Sequence, residues 1–181
     1  MMMTPSIYVD QSIFRYLDTV GDGSGIKNAM GDYSGAVEEF LYIAGGPAAT
    51  GRVDLHRLVI FVRDSGLFTA DSYGALAALT NGIEIEVRDS DDNILVDLTD
   101  GVPVKSNAQW CRVCYDSILQ DYGAAGDSYV VTRWTFTRSG SPLALKAGDR
   151  LVVKLNDDLT GLIDHTFMIQ GIQRAEAPAW S

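Results

Sequence analysis

The chain has 181 residues, 46% of them hydrophobic and 21% charged, which suits a globular protein that buries its core in one domain. Its 14 basic residues face 24 acidic ones, for a net charge of −10, and no two basic residues are adjacent, which argues against a nucleic-acid groove or an anionic membrane surface. No stretch approaches the about 18 consecutive apolar residues of a membrane helix, and MMMTPSIYVDQ has neither the basic nor the apolar region of a secretory leader. The expected setting is therefore the cytosol, or a particle assembled without an export signal.

In chain order, residues 1–36 stand apart. GDGSGIKNAMGDYSG, from Gly21 to Gly35, is rich in Gly, Ser, Asn and Asp and has almost no apolar periodicity. Such a segment buries too little apolar surface to order by itself. It predicts an extended N-terminal arm over 1–36 that takes shape against another surface, or else a loose terminus. A β-sandwich domain over 37–181 follows.

From residue 37 the signal is strand after strand. AVEEFLYI (36–43) and RVDLHRLVIFVRD (52–64) are β-rich, the second with a long apolar centre. GIEIEVRDSDDNILVDL (82–98) reads as a hairpin turning at DSDDN, with Ile83, Ile85 and Val87 on one face and Glu84, Glu86 and Arg88 on the other. SYVVTRWTFTR (128–138) sets Trp134 and Phe136 together, and DRLVVKLND (149–157) does the same for Leu151, Val153 and Leu155. DHTFMIQGIQ (164–173) places His165, Phe167 and Ile169 on one face. Helical signal is thin: ADSYGALAALT (70–80) is short and interrupted by Gly74. Many strands, Gly-rich turns and no βαβ alternation indicate an all-β fold, an antiparallel β-sandwich of jelly-roll-like type with an extended N-terminal arm.

The chemistry-bearing patterns are weak in context. Trp110-Cys111-x-x-Cys114 has redox spacing and holds both cysteines of the chain. A redox dithiol needs a buried strand before it and a helix after it, whereas DGVPVKSNAQ and YDSILQDYG flank it here. On a strand the two cysteines would face opposite ways, as small apolar filler. A closed zinc site needs four ligands, and His56 and His165 lie far from the cysteines in sequence. Asp164 and His165 are adjacent on a strand, so that carboxylate is badly placed to orient that imidazole. GDGSG (21–25) lacks the following Gly-Lys-Ser/Thr of a phosphate loop, and Asp22 would repel phosphate. The acid pairs Glu38-Glu39, Asp91-Asp92 and Asp157-Asp158 sit at edges or turns, where solvated charge is the ordinary explanation. Asp89, Asp91, Asn93 and Asp100 match part of a calcium loop over 89–100, but Ile94 stands where glycine is required. An Asx-rich turn explains them better. The chain is expected to be no enzyme, with no catalytic, cofactor or metal residues.

FRYLDTVGDGSGIKNAMGDYSG, LHRLVIFVRDSG, LTNGIEIEVRDSDDNILVDLTDGVPVKSN and LNDDLTGLIDHTFMIQG together resemble small virion proteins of tailed bacteriophages, of the capsid decoration (cement) type. The resemblance lies in texture over most of the chain, and no motif of it is tied to chemistry. It implies a β-sandwich homotrimer made in the host bacterial cytoplasm and mounted on the outer capsid surface. Its partners would be the major capsid protein and itself, without nucleic acid, membrane or cofactors. The alternatives are a tail or fibre-base component, including a receptor-binding head, and a carbohydrate-binding module or glycan-active enzyme on a sandwich.

Overall fold

Alternating apolar side chains build ten strands among the described residues. The computed structural model describes residues 8–21, 38–45, 51–64, 79–105, 115–121, 128–136, 140–157 and 164–176. In chain order the strands are β1 (Tyr8–Tyr16), β2 (Glu38–Ile43), β3 (Gly51–Asp64), β4 (Ile83–Arg88) and β5 (Ile94–Asp97), then β6 (Tyr115–Asp121), β7 (Ser128–Thr135), β8 (Leu143–Lys146), β9 (Arg150–Leu155) and β10 (Asp164–Glu176). They form two antiparallel sheets. One has the order β1-β10-β3-β7-β6, with β8 also paired to β3, and the other has the order β2-β9-β4-β5. The fold is all-β and sandwich-like, as the patterning indicates.

With the β6–β7 hairpin set aside, the orders become β1-β10-β3-β8 and β2-β9-β4-β5. The connections β1–β2, β2–β3, β3–β4, β8–β9 and β9–β10 each pass from one sheet to the other. Ile83, Ile85 and Val87 of β4 meet Leu151, Val153 and Leu155 of β9 and Phe40 of β2 in the core. The opposing sheet supplies Ile13, Leu55, Leu58, Ile60, Trp134, Phe167 and Ile169. The rings of Phe40 and Phe167 join the two sheets, with centroids 5.2 Å apart and planes tilted by 36°. Burial of each such side chain contributes about 1.5–3 kcal/mol.

The arm expected over 1–36 differs in its first part. Residues 8–16 form β1, paired with β10 from Tyr8↔Glu176 to Tyr16↔Met168, and Ile13 and Leu17 enter the core. Among the described side chains of this segment, Ile13 and Leu17 are the deeply buried apolar ones, too few to read as a strand before β10 is known to lie alongside. The chain after β1 then seals β2. Asp18 and Leu41 exchange backbone hydrogen bonds, and Ile43 N–H donates to Gly21 O at 2.8 Å. Gly21 has φ +87°, and a Cβ there would strike Leu41 and Ile43. Residues 22–36 lie outside the described residues, as do most of the weakly helical stretch at 70–80 and the whole of 109–114 with Trp110, Cys111 and Cys114.

Candidate functional site at the bulge of β3 and β10

The inward-facing series of β3 changes phase at His56. Val53 and Leu55 point into the core before it, and Leu58 and Ile60 after it. The register records the same slip: Gln170 pairs with Arg57 and Gly171 with Leu55, leaving His56 without a partner on β10. On the other flank β8 ends at Leu55↔Leu143 and β7 begins at Arg57↔Thr135, so His56 is skipped there too. A bulge of this kind brings two consecutive side chains to one side of the sheet and re-aims them. Gly171 permits it, because a Cβ would press on the Asp54 carbonyl oxygen and lie 3.1 Å from Leu55 Cα.

An open groove of about 520 Å³ lies at this irregularity. Ser12 and Phe14 of β1, His56 and Arg57 of β3, and Gln170 and Ile172 of β10 line it. Phe14, Gln170 and Arg57 form one cross-strand row, and Ser12, Ile172 and Asp54 form the next. Phe14 is 45% exposed and stands edge-on to Tyr16, centroids 5.6 Å apart.

Beside the groove, Asp54 is only 1% exposed and its two oxygens are taken by two arginines. Arg52 Nε donates to Oδ1 at 2.5 Å, and Arg174 Nε donates to Oδ2 at 2.7 Å. Arg174 also faces Asp10 at 4.0 Å. Paired this way, the buried carboxylate ties β3 to β10 and leaves no unbalanced charge under the groove. Arg57 differs from the other arginines whose side chains are described. Among the described residues it has no hydrogen-bond or ion-pair partner, whereas Arg15, Arg52, Arg88, Arg150 and Arg174 each have one.

The residues singled out in the sequence do not converge here, apart from His56. His165 lies across from Val62, six residues along β3 from His56, or roughly 20 Å at strand rise. The two histidines therefore share no site. Glu39 pairs with Arg88 at 2.8 Å. Asp157 accepts hydrogen bonds from the N–H groups of Thr80, Asn81 and Gly82, which pins the start of β4 to the end of β9. Asp158 and residues 22–25 lie outside the described residues.

In the 89–100 turn, Asp89 Oδ1 accepts the N–H groups of Asp91 and Asn93, both at 2.9 Å. The Asn93 side chain, with these N–H groups, holds the Asp89 carboxyl below the usual carboxylate range. Asp92 turns back in the left-handed region, φ 69°, to Arg88 and Arg150. Asp89, Asp91 and Asn93 thus share one turn, whereas Asp100 lies in a second turn beyond β5. Among the described residues no group of three or more His, Cys, Asp or Glu is arranged to hold a metal ion.

The sequence reading missed Ser12, Phe14, Arg57, Gln170 and Ile172 as a site. Their one local signal is the alternation of Ser12 and Phe14 around Ile13. What assembles them is the pairing of β1 with β10, more than 150 positions apart. No protein-family model matches the chain, and no curated protein or solved structure is significantly similar to it.

Proposed function

We propose that this chain is a non-enzymatic structural protein of a tailed-phage virion, of the capsid decoration type, which binds the major capsid protein on the outer head surface and stabilises the shell. The observation that carries this reading is the outer edge of the smaller sheet. Its β2 edge is sealed by residues 18–21, but among the described residues no strand pairs with the free side of β5. Ile94, Leu95 and Val96 are 58%, 52% and 43% exposed there, with Val102 nearby at 61%. An open apolar edge invites strand pairing, and proteins that stay single blunt it with lysine, proline or a cover. Retaining it suits a chain that meets a partner in an assembly. The acidic character of the rest of the chain limits adhesion elsewhere.

The strand orders also favour the finer, jelly-roll-like reading of the sandwich, an architecture shared by viral capsid and lectin domains. That support is analogy of fold alone. The homotrimer belongs to the same proposal and follows from the resemblance in sequence texture.

The test is mass spectrometry and cryo-electron microscopy of particles purified from cells that carry this coding sequence. The expected result is stoichiometric chain on the outer head surface, and three chains per particle by light scattering of the isolated protein. Absence from the particles, or density confined to the tail, would overturn the decoration reading.

A further inference from the structure

We propose that the groove at the β3–β10 bulge binds an acidic saccharide, a chain of sugar rings bearing carboxylates. The inference uses only the groove and holds wherever the protein resides. Four observations bear on it.

The groove lies on the face of the larger sheet, across its end strand β1 and the paired strands β10 and β3. β10 is paired on both sides, to β1 and to β3, so an incoming polypeptide cannot bind there by adding a strand. Over β10, contacts with a ligand come from side chains.

Among the described residues the lining carries one permanent cation and no carboxylate. Arg57 has no partner among the described residues, in a chain where acids outnumber bases by 24 to 14. A guanidinium offers a planar fork of donors that matches a carboxylate in bidentate fashion. Asp54, beside the groove, is engaged by Arg52 and Arg174 rather than by Arg57.

The remaining polar groups suit hydroxyls. The Gln170 amide both donates and accepts, as does the Ser12 hydroxyl, and the His56 imidazole sits at the one position of β3 skipped by both neighbouring strands. Phe14 supplies an exposed ring, whose electron-rich face attracts the C–H groups of a sugar. Phe14, Gln170 and Arg57 occupy one row across three strands, so the backbone positions of Phe14 and Arg57 stand about 10 Å apart at ordinary strand spacing. Two positions in one row of one groove suit a sugar stacked on Phe14 and the carboxylate of a neighbouring sugar on Arg57. A lone phosphate or sulfate would use Arg57 but leave the ring unused.

The experiment is calorimetric titration of the full chain with tetramers of galacturonate, glucuronate and mannuronate. The methyl esters of each, and tetraglutamate, serve as comparison ligands. At least one uronate tetramer should bind, its methyl ester at least tenfold more weakly. Arg57→Gln and Phe14→Ala should each lower affinity at least tenfold, while Arg150→Gln, which removes a cation from the other sheet, leaves it unchanged. Both test positions are exposed, and circular dichroism checks that the variants fold. No binding by any uronate, equal binding of the methyl esters, or an unchanged Arg57→Gln variant would overturn the proposal. Equal binding of tetraglutamate would show recognition of carboxylates without sugar, and would overturn it too.

Discussion

Arg88 shows how far a side chain's surroundings depart from its place in the sequence. The alternation of β4 assigns it to the polar face, yet it is buried, as is Glu86 at 6% exposure. Its Nε donates to Glu86 at 2.8 Å, its Nη2 to Glu39 at 2.8 Å, and its Nη1 reaches Asp92 at 3.3 Å. The Glu39 hydrogen bond, aided by Glu86, raises its pKa against the effect of burial, so the guanidinium stays charged at every ordinary pH. Arg88→Met would leave Glu86 buried without its counter-charge and should cost about 3–5 kcal/mol in urea unfolding. Arg88→Met with Glu86→Leu should recover most of that loss, because an apolar pair replaces the ion pair. A double variant no more stable than the single one would contradict this account.

Asp97 makes a pH prediction. Burial pushes its carboxyl up, but hydrogen bonds from Thr99 at 2.8 and 2.7 Å and from Gly101 at 2.7 Å outweigh burial and hold it below the usual carboxylate range. A carboxyl lowered by folding contributes stability that is present above its unfolded pKa of about 4 and is lost as pH falls through the native value. Stability to thermal unfolding should therefore fall below about pH 4. Asp97→Asn should be less stable at pH 7 and lose less on acidification. Parallel acid limbs for the two proteins would count against the assignment.

At the scale of elements, the β4–β5 hairpin was legible because one period-two pattern and one Asx turn settle it locally. β5 itself is where assembly is expected. Leu95 falls opposite the irregularity between Val87 and Arg88 and is 52% exposed. Leu95→Lys places a charge on the open edge, a common protection against strand pairing. It should shift light-scattering mass towards the single chain and change stability by no more than about 0.5 kcal/mol. An unchanged mass would place the assembly contact elsewhere. β1 was not legible as a strand. The glycine-rich run after it dominates the composition of residues 1–36, and its partner β10 is the last strand described.

For the whole molecule, the sequence by itself determined the all-β class, the inward faces of β4, β9 and β10, and the acidic surface. Those properties follow from composition and period-two alternation, which are local. Only the tertiary structure decided that β1 belongs to the larger sheet, that Glu39 reaches Arg88, and that Asp54 lies between Arg52 and Arg174. It likewise decided that His56 sits at a bulge and lines the same groove as Phe14, with β10 between them. Each depends on the register between strands distant in sequence, and that register comes from packing two sheets against one core.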